Sequence, residues 1–243
     1  MRRSIVLVLM LLTLVLTACG HHQELSVMTY NVRHCAGMDL VVDYDRTAAV
    51  IIRQQPDVVA LQELDSMTGR SGRCDQLGEL ARRTGYEPVF GAAIDYDGGK
   101  YGVGILSREK PLCRKTIPLP GEEPRVLLVV ELKDYVMACT HLDLEEESRL
   151  ASVPLILEEA RRWQKPFFLA GDWNDGPDSA LLQELKKYFT VLTAGEPSFP
   201  ADEPVDCIDY IAIFKDGKAK VSESAVVNEP EASDHRPVVV KIG

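Results

Sequence analysis

The segment KPFFLAGDWND, Lys165 to Asp175, sets the reading of the whole chain. Its apolar run, Pro166–Ala170, has the length and bulk of a short buried strand. Asp172 and Asn174 therefore emerge at a strand end, where Gly171 lets the backbone turn sharply enough for both to reach one pocket. A plain Asx turn after a strand is the competing reading. Trp173, between the two, reads as a packing residue.

Similar signatures recur along the chain: Asn31 in MTYNV, Glu63 in LQELD, His141 in THLD, Asp209 in IDYI, and Asp234–His235 in SDHRP. Nearly every one follows a hydrophobic run of strand length. If the chain folds as two packed sheets, all of them end at one point. The remaining pattern supports such sheets. Strands are expected at Leu25–Tyr30, Asp57–Leu61, Tyr86–Phe90, Val103–Ser107, Cys113–Ile117, Arg125–Leu132, Val136–Thr140, Ile208–Phe214, Lys220–Val227 and Pro237–Ile242. Helices are expected from Asp45 as cap to Gln54 before Pro56, over Asp75–Arg83 closed by Gly85, and over Ser179–Lys187. Glu145–Trp163 is helical in composition, with a start or a bend at Pro154. Strands outnumber helices, and both hairpins and crossovers occur, so the class is α+β with mixed sheets and helices outside.

The N-terminus reads differently. Arg2 and Arg3 precede an apolar stretch, Ser4–Leu16, of the length of a signal h-region. Leu16-Thr17-Ala18-Cys19 then reads as a lipobox, giving a signal peptide over 1–18, a lipidated tether over 19–24 and a single domain over 25–243. An ordinary secretory signal and a membrane span are the alternatives, the stretch being short for a span. Acylation of Cys19 would anchor the protein in the bacterial cell envelope, outside the cytoplasm. The formal charge of −10 becomes more negative once Arg2 and Arg3 leave, which disfavours strong sequence-independent binding of nucleic acid. Cys35, Cys74, Cys113, Cys139 and Cys207 form neither a disulfide framework nor a zinc pattern. Cys139 reads as a buried small hydrophobe.

Asn31 offers an amide oxygen and Glu63 a carboxylate, hard ligands suited to Mg²⁺ or Mn²⁺. Asp172 and Asn174 can orient a water and hold phosphoryl oxygens. In SDHRP an acid beside an imidazole can supply a metal ligand (Asp234) and a base or charge stabiliser (His235). Asp209 could accept a hydrogen bond from one nitrogen of His235. His141 can donate to a phosphate oxygen or a leaving group, although no carboxylate partner for it is legible. His34, in NVRHC, either joins the site or turns away from it. Arg125, Lys100 and Tyr101 are candidate phosphate or headgroup contacts, each more often an ordinary sheet or surface residue. No G-x-S-x-G elbow, Walker loop, H-E-x-x-H or C-x-x-C occurs.

Together these motifs resemble the endonuclease/exonuclease/phosphatase superfamily, DNase I-like, over Leu25–Ile242. The resemblance implies a four-layer α/β/β/α sandwich of two mixed sheets with flanking helices. It implies Asn31 and Glu63 as metal ligands, with Asp234 nearby. Asp172 and Asn174 would position the water and the phosphate, His235 held by Asp209 would be base or transition-state stabiliser, and His141 would bind phosphate. Whether Asp172 or His235 takes the proton stays open. Two departures stand out: related sequences often read YGNA where this chain has Tyr101-Gly102-Val103-Gly104, and GDFN is here GDWN. The expected function is hydrolysis of a phosphoester by in-line attack of water, on a small molecule or lipid headgroup in preference to nucleic acid, by a monomer. A secreted-side nuclease and a non-catalytic phosphate- or glycan-binding module are the alternatives.

Overall fold

The computed structural model of the chain describes residues 24–215 and 219–243. The expected signal peptide and the lipobox with Cys19 lie outside the described residues. One six-stranded sheet has the order β11-β12-β1-β2-β4-β3. Its strands are β1 (Leu25–Asn31), β2 (Val58–Ser66), β3 (Glu87–Tyr96), β4 (Gly99–Ser107), β11 (Val221–Val226) and β12 (Val238–Ile242). The second sheet has the order β5-β6-β7-β8-β10-β9. It holds β5 (Cys113–Leu119), β6 (Arg125–Glu131), β7 (Val136–His141), β8 (Phe167–Asp172), β9 (Phe189–Val191) and β10 (Asp209–Phe214). In each sheet one central pair is parallel, β1 with β2 and β7 with β8, and all other pairs are antiparallel.

Side chains alternate between two dry faces on these central strands. Val27, Val58, Met137 and Phe168 point between the sheets. Met28, Val59 and Leu61 face α1 (Tyr44–Gln54) and α2 (Gln76–Thr84). Ala138, Phe167 and Leu169 face α3 (Glu146–Ala160) and α4 (Ala180–Leu185). Because both faces are covered, the strands read as unbroken apolar runs rather than alternating ones. The result is the expected four-layer α/β/β/α sandwich. No described helix is long and apolar enough to cross a membrane.

Local chemistry corrects several expected boundaries. The α1 cap is Asp43, whose carboxylate accepts from the Arg46 amide at 2.9 Å. Asp45 lies inside the first turn, where its charge suits the helix dipole. α3 runs from Glu146 straight through Pro154. That proline is exposed on the solvent face, where water can satisfy the carbonyl it leaves unpaired. β9 is a three-residue strand paired to β10, too short to show a period. β2 continues past Gln62–Glu63 to Ser66, with its register shifted between Leu61 and Leu64.

The sheets also repeat one topology. β1-α1-β2-α2-β3-β4 and β7-α3-β8-α4-β9-β10 share element order, strand order and pairing sense. No sequence repeat announces this.

Candidate active site

Asn31 and His141 end β1 and β7, and Asp172 ends β8 in register with His141. Gly171 is required for that approach, because a Cβ there would lie 1.9 Å from the Thr140 carbonyl oxygen. The sheets meet at these ends. The Asn31 amide donates through Nδ2 to Asp172 Oδ2 at 3.1 Å, across the seam, and to Glu63 Oε1 at 3.0 Å. Its own oxygen accepts the Arg33 amide at 3.1 Å.

Two imidazoles flank the same oxygen. His141 Nε2 and His235 Nε2 each stand 3.6 Å from Asp172 Oδ2. The carboxylate beside His141 that the sequence left unnamed is therefore Asp172. On its far side, His235 Nδ1 lies 2.9 Å from Asp209 Oδ2. Asp209, at the head of β10 opposite Asp172, also accepts from the Ser198 hydroxyl at 2.6 Å. The Phe199 ring packs on His235 at 4.7 Å between centroids.

The two histidines differ in charge. Burial opposes the His235 imidazolium, but Asp209, Asp172 and Asp234 outweigh it and raise its pKa to about 10. Burial dominates at His141 and, with Arg125 nearby, lowers its pKa to about 4 despite Asp172. Asn174 takes a left-handed turn (φ 51°), which asparagine tolerates. Its backbone N–H donates to Asp172 Oδ1 at 2.9 Å, and Nδ2 donates to the Leu142 carbonyl at 2.8 Å. An amide carries two N–H donors, so one remains for a ligand. Trp173 packs as expected, fully buried and stacked on Tyr210 at 4.8 Å.

Glu63 sits in the β2 irregularity at φ 59°. Burial raises its pKa, the Asn31 amide opposes that, and the charges of Asp234 and Asp172 add to it. Among the described residues no lysine or arginine pairs with Glu63 or Asp172, whereas Asp234 lies 3.3 Å from Arg33. Ser233 ties Asp234 to the site, since its hydroxyl donates to the Asn31 carbonyl at 2.7 Å. A desolvated carboxylate beside an amide and two more acids, without its own cation, fits a hard divalent ion. Asp172, Asp209 and His235 also bring ligating atoms within 4.8 Å of one another. There, however, the Asp209–His235 bond holds an acid and an imidazole as a charge pair, whereas Glu63 keeps Oε2 without a hydrogen-bond partner among the described residues and has no cation of its own, so the Asn31–Glu63 side is the better cation site.

The remaining candidates divide. Arg125 is buried beside His141 but faces Glu123 at 3.1 Å and Asp143 at 3.7 Å. Lys100 pairs with Asp95 on the solvent side of the β3–β4 hairpin and takes no part in the site. Tyr101 lines a recess beside Glu63. His34 is half-buried at φ 45°, and burial with Arg70 lowers its pKa. Val103, where the family resemblance suggests an amide, is buried between the sheets and lines a small cavity with His141 and Arg125. Gly104 beside it makes room for Leu64, whose Cδ1 would lie 2.6 Å from an added Cβ. Sequence reasoning missed Ser198, Ser233 and Arg149. The last binds Asp175 at 3.0 Å and the Asp143 carbonyl at 3.1 Å, strapping together the loops after β8 and β7.

Residues 28–235 match the family described as Endonuclease/Exonuclease/phosphatase. The chain belongs to that family. Membership places it among phosphoester hydrolases in the general sense that the family's name conveys. An endonuclease/exonuclease/phosphatase from Beutenbergia cavernae is 26% identical, with a TM-score of 0.78 over 90% of this chain and 71% of that one. The Bacteroides thetaiotaomicron mannosyl-6-phosphatase is 18% identical, with a TM-score of 0.75 over 90% and 99% of the two chains. The catalytic domain of human Nocturnin, with a sulfate anion bound, is 18% identical at a TM-score of 0.69 over 90% and 94%. The last two likenesses concern the fold alone. No protein of curated function matches the sequence.

Proposed function

We propose that this chain is a Mg²⁺- or Mn²⁺-dependent phosphoester hydrolase acting by in-line attack of water. The observation that carries the reading is the meeting of Asn31, Glu63, His141, Asp172 and His235 at one seam, with Glu63 lacking any cationic partner among the described residues. Asn31 and Glu63 would hold the ion, with Asp234 beside them. The bound ion would supply Lewis-acid polarisation of a phosphoryl oxygen.

The chain's own residues divide the proton work. Asp172 is an acceptor without lysine or arginine, held by the Asn31 amide and the Asn174 N–H, and it takes the proton of the attacking water. Asp209 holds His235 through Nδ1, which leaves Nε2–H to stabilise charge or protonate the departing oxygen. His141 and the free N–H of Asn174 donate to phosphoryl oxygens. The N-terminal signal pattern and Cys19 support a lipid-tethered enzyme outside the cytoplasm. The acidic chain favours a small-molecule or lipid-headgroup ester over nucleic acid, and the sugar-phosphate activity in the Bacteroides neighbour's name is compatible with that choice.

The test is divalent-metal dependence on p-nitrophenyl phosphate, bis-p-nitrophenyl phosphate and plasmid DNA. Turnover of either small ester without nicking supports the reading, nicking would make the protein a nuclease, and silence on all three would leave a binding module. His235→Ala should lower turnover by roughly 10²–10⁴, and a near-wild-type rate would refute the assignment.

A further inference from the structure

Beside Glu63 the cleft opens into a recess of about 130 Å³ lined by Glu63, Arg70, Ile94, Tyr96, Tyr101 and Glu123. Its charges are already settled. Arg70 donates through Nε and Nη2 to the fully buried Asp65 at 2.7 and 2.9 Å. Glu123 lies 3.1 Å from Arg125. Glu63 faces the cation site. Among the described residues, no unpaired positive charge lines the recess to draw in a second anion.

The aromatic faces are settled too. Arg70 Cζ lies 4.6 Å from the Tyr96 centroid and 5.6 Å from that of Tyr101. An ammonium group would seek such ring faces, and the protein's own guanidinium already covers one face of each ring. What the recess still offers is hydrogen bonding from charge-paired groups and two hydroxyls. Arg70 Nη1 and the two tyrosine hydroxyls have no hydrogen-bond partner among the described residues, and Glu123 can accept from the rim.

Resting on the hydrolase reading above, we infer that this recess receives the leaving group of the ester, and that the leaving group is a neutral polyhydroxylated one, a sugar or polyol. Interleaved donors and acceptors on an aromatic wall suit hydroxyl groups. Paired charges and a guanidinium already stacked on both rings disfavour a second phosphate and a quaternary ammonium. Such a group could come from a free sugar phosphate or from the polyol head of a lipid.

The experiment measures kcat/KM with Mg²⁺ for glucose 6-phosphate, fructose 1,6-bisphosphate, phosphocholine and phenyl phosphate, and turnover on phosphatidylinositol vesicles. The neutral sugar ester should exceed the bisphosphate and phosphocholine by about tenfold or more, the worth of one or two good hydrogen bonds. Tyr96→Ala and Glu123→Gln should lower the glucose 6-phosphate to phenyl phosphate ratio about tenfold through KM, with Tyr96→Phe intermediate. Turnover on vesicles alone would assign the polyol to a lipid head. Equal or better turnover of phosphocholine or the bisphosphate would overturn the inference, as would variants that leave the ratio unchanged. Failure on phenyl phosphate and every other ester would defeat the hydrolase reading itself.

Discussion

The parallel pairs β1–β2 and β7–β8 hold the same place in a repeated topology, yet they deliver different chemistry. In the second sheet the ladder itself presents the pair, with His141 beside Asp172. In the first, the residue beside Asn31 is Gln62. Gln62 is fully buried and donates to Cys139 Sγ at 3.3 Å across the sheet interface. The acid of that sheet comes one residue later, turned out by the irregularity between Leu61 and Leu64. One end thus offers an amide beside a carboxylate, and the other offers a carboxylate between imidazoles. On the proposed reading, a single frame, used twice, separates holding a cation from moving a proton.

The sharpest way to break this division is to remove one side at a time. Asp172→Asn should cut kcat by roughly 10²–10⁴ while leaving the Mg²⁺ concentration for half-maximal activity nearly unchanged. Glu63→Ala or Asn31→Ala should instead raise that concentration at least as much as a lost supporting contact does, about 10- to 100-fold. If Asp172→Asn moved the metal requirement as far as Glu63→Ala, the two ends would not be distinct.

Proton titration of the metal-free protein should show the same contrast within the second chemistry. With an unfolded value near 6.5, His141 stabilises the fold above that pH and loses its contribution as pH falls toward about 4. His235 has the opposite sign, contributing below about 6.5 and losing its contribution as pH rises toward about 10. Ring-proton NMR should find His235 charged and His141 neutral at neutral pH. Two coincident titrations would erase the difference. A smaller effect is expected at Ser198→Ala, which removes a hydroxyl donor to Asp209. Turnover should fall about fivefold to tenfold, the kinetic equivalent of one hydrogen bond. An unchanged rate would show that the Asp209 carboxylate needs no such support.

Much of this site is written in single residues at the ends of apolar runs. Asn31, His141 and Asp172 are legible because a strand end is where a polar side chain can leave two dry faces, whereas Glu63 and His235 are legible as polar residues bordering apolar runs, although Glu63 sits inside β2 and His235 in the loop before β12. The Asp209–His235 bond was legible as well, since each residue borders a strand of its own. Other parts were not. Ser198 and Ser233 act through hydroxyls in loops, where serine is commonplace, and nothing local marks which one faces the cleft. The extension of β2 was hidden because an irregular register breaks the period that reveals a strand. The α1 cap was misplaced because Asp43 and Asp45 offer the same side chain two residues apart. Asp172 as the partner of His141 required the parallel register of β7 and β8, which only the fold supplies.

The backbone of Glu63 carries a practical warning. Its φ of 59° lies where a residue other than glycine, asparagine or aspartate is disfavoured by about 1–2 kcal/mol, and partial burial raises the pKa of its carboxyl. Glu63→Gly relieves both burdens, so calorimetry of the apo protein should show a midpoint higher by about 2–4 °C per kcal/mol gained; a lower midpoint would mean that the Asn31 contact outweighs the relief. With Glu63 holding the ion as proposed, improving this scaffold by heat challenge alone would collect sturdier, inert proteins from this codon, so a selection for robustness has to be run with turnover as a second gate.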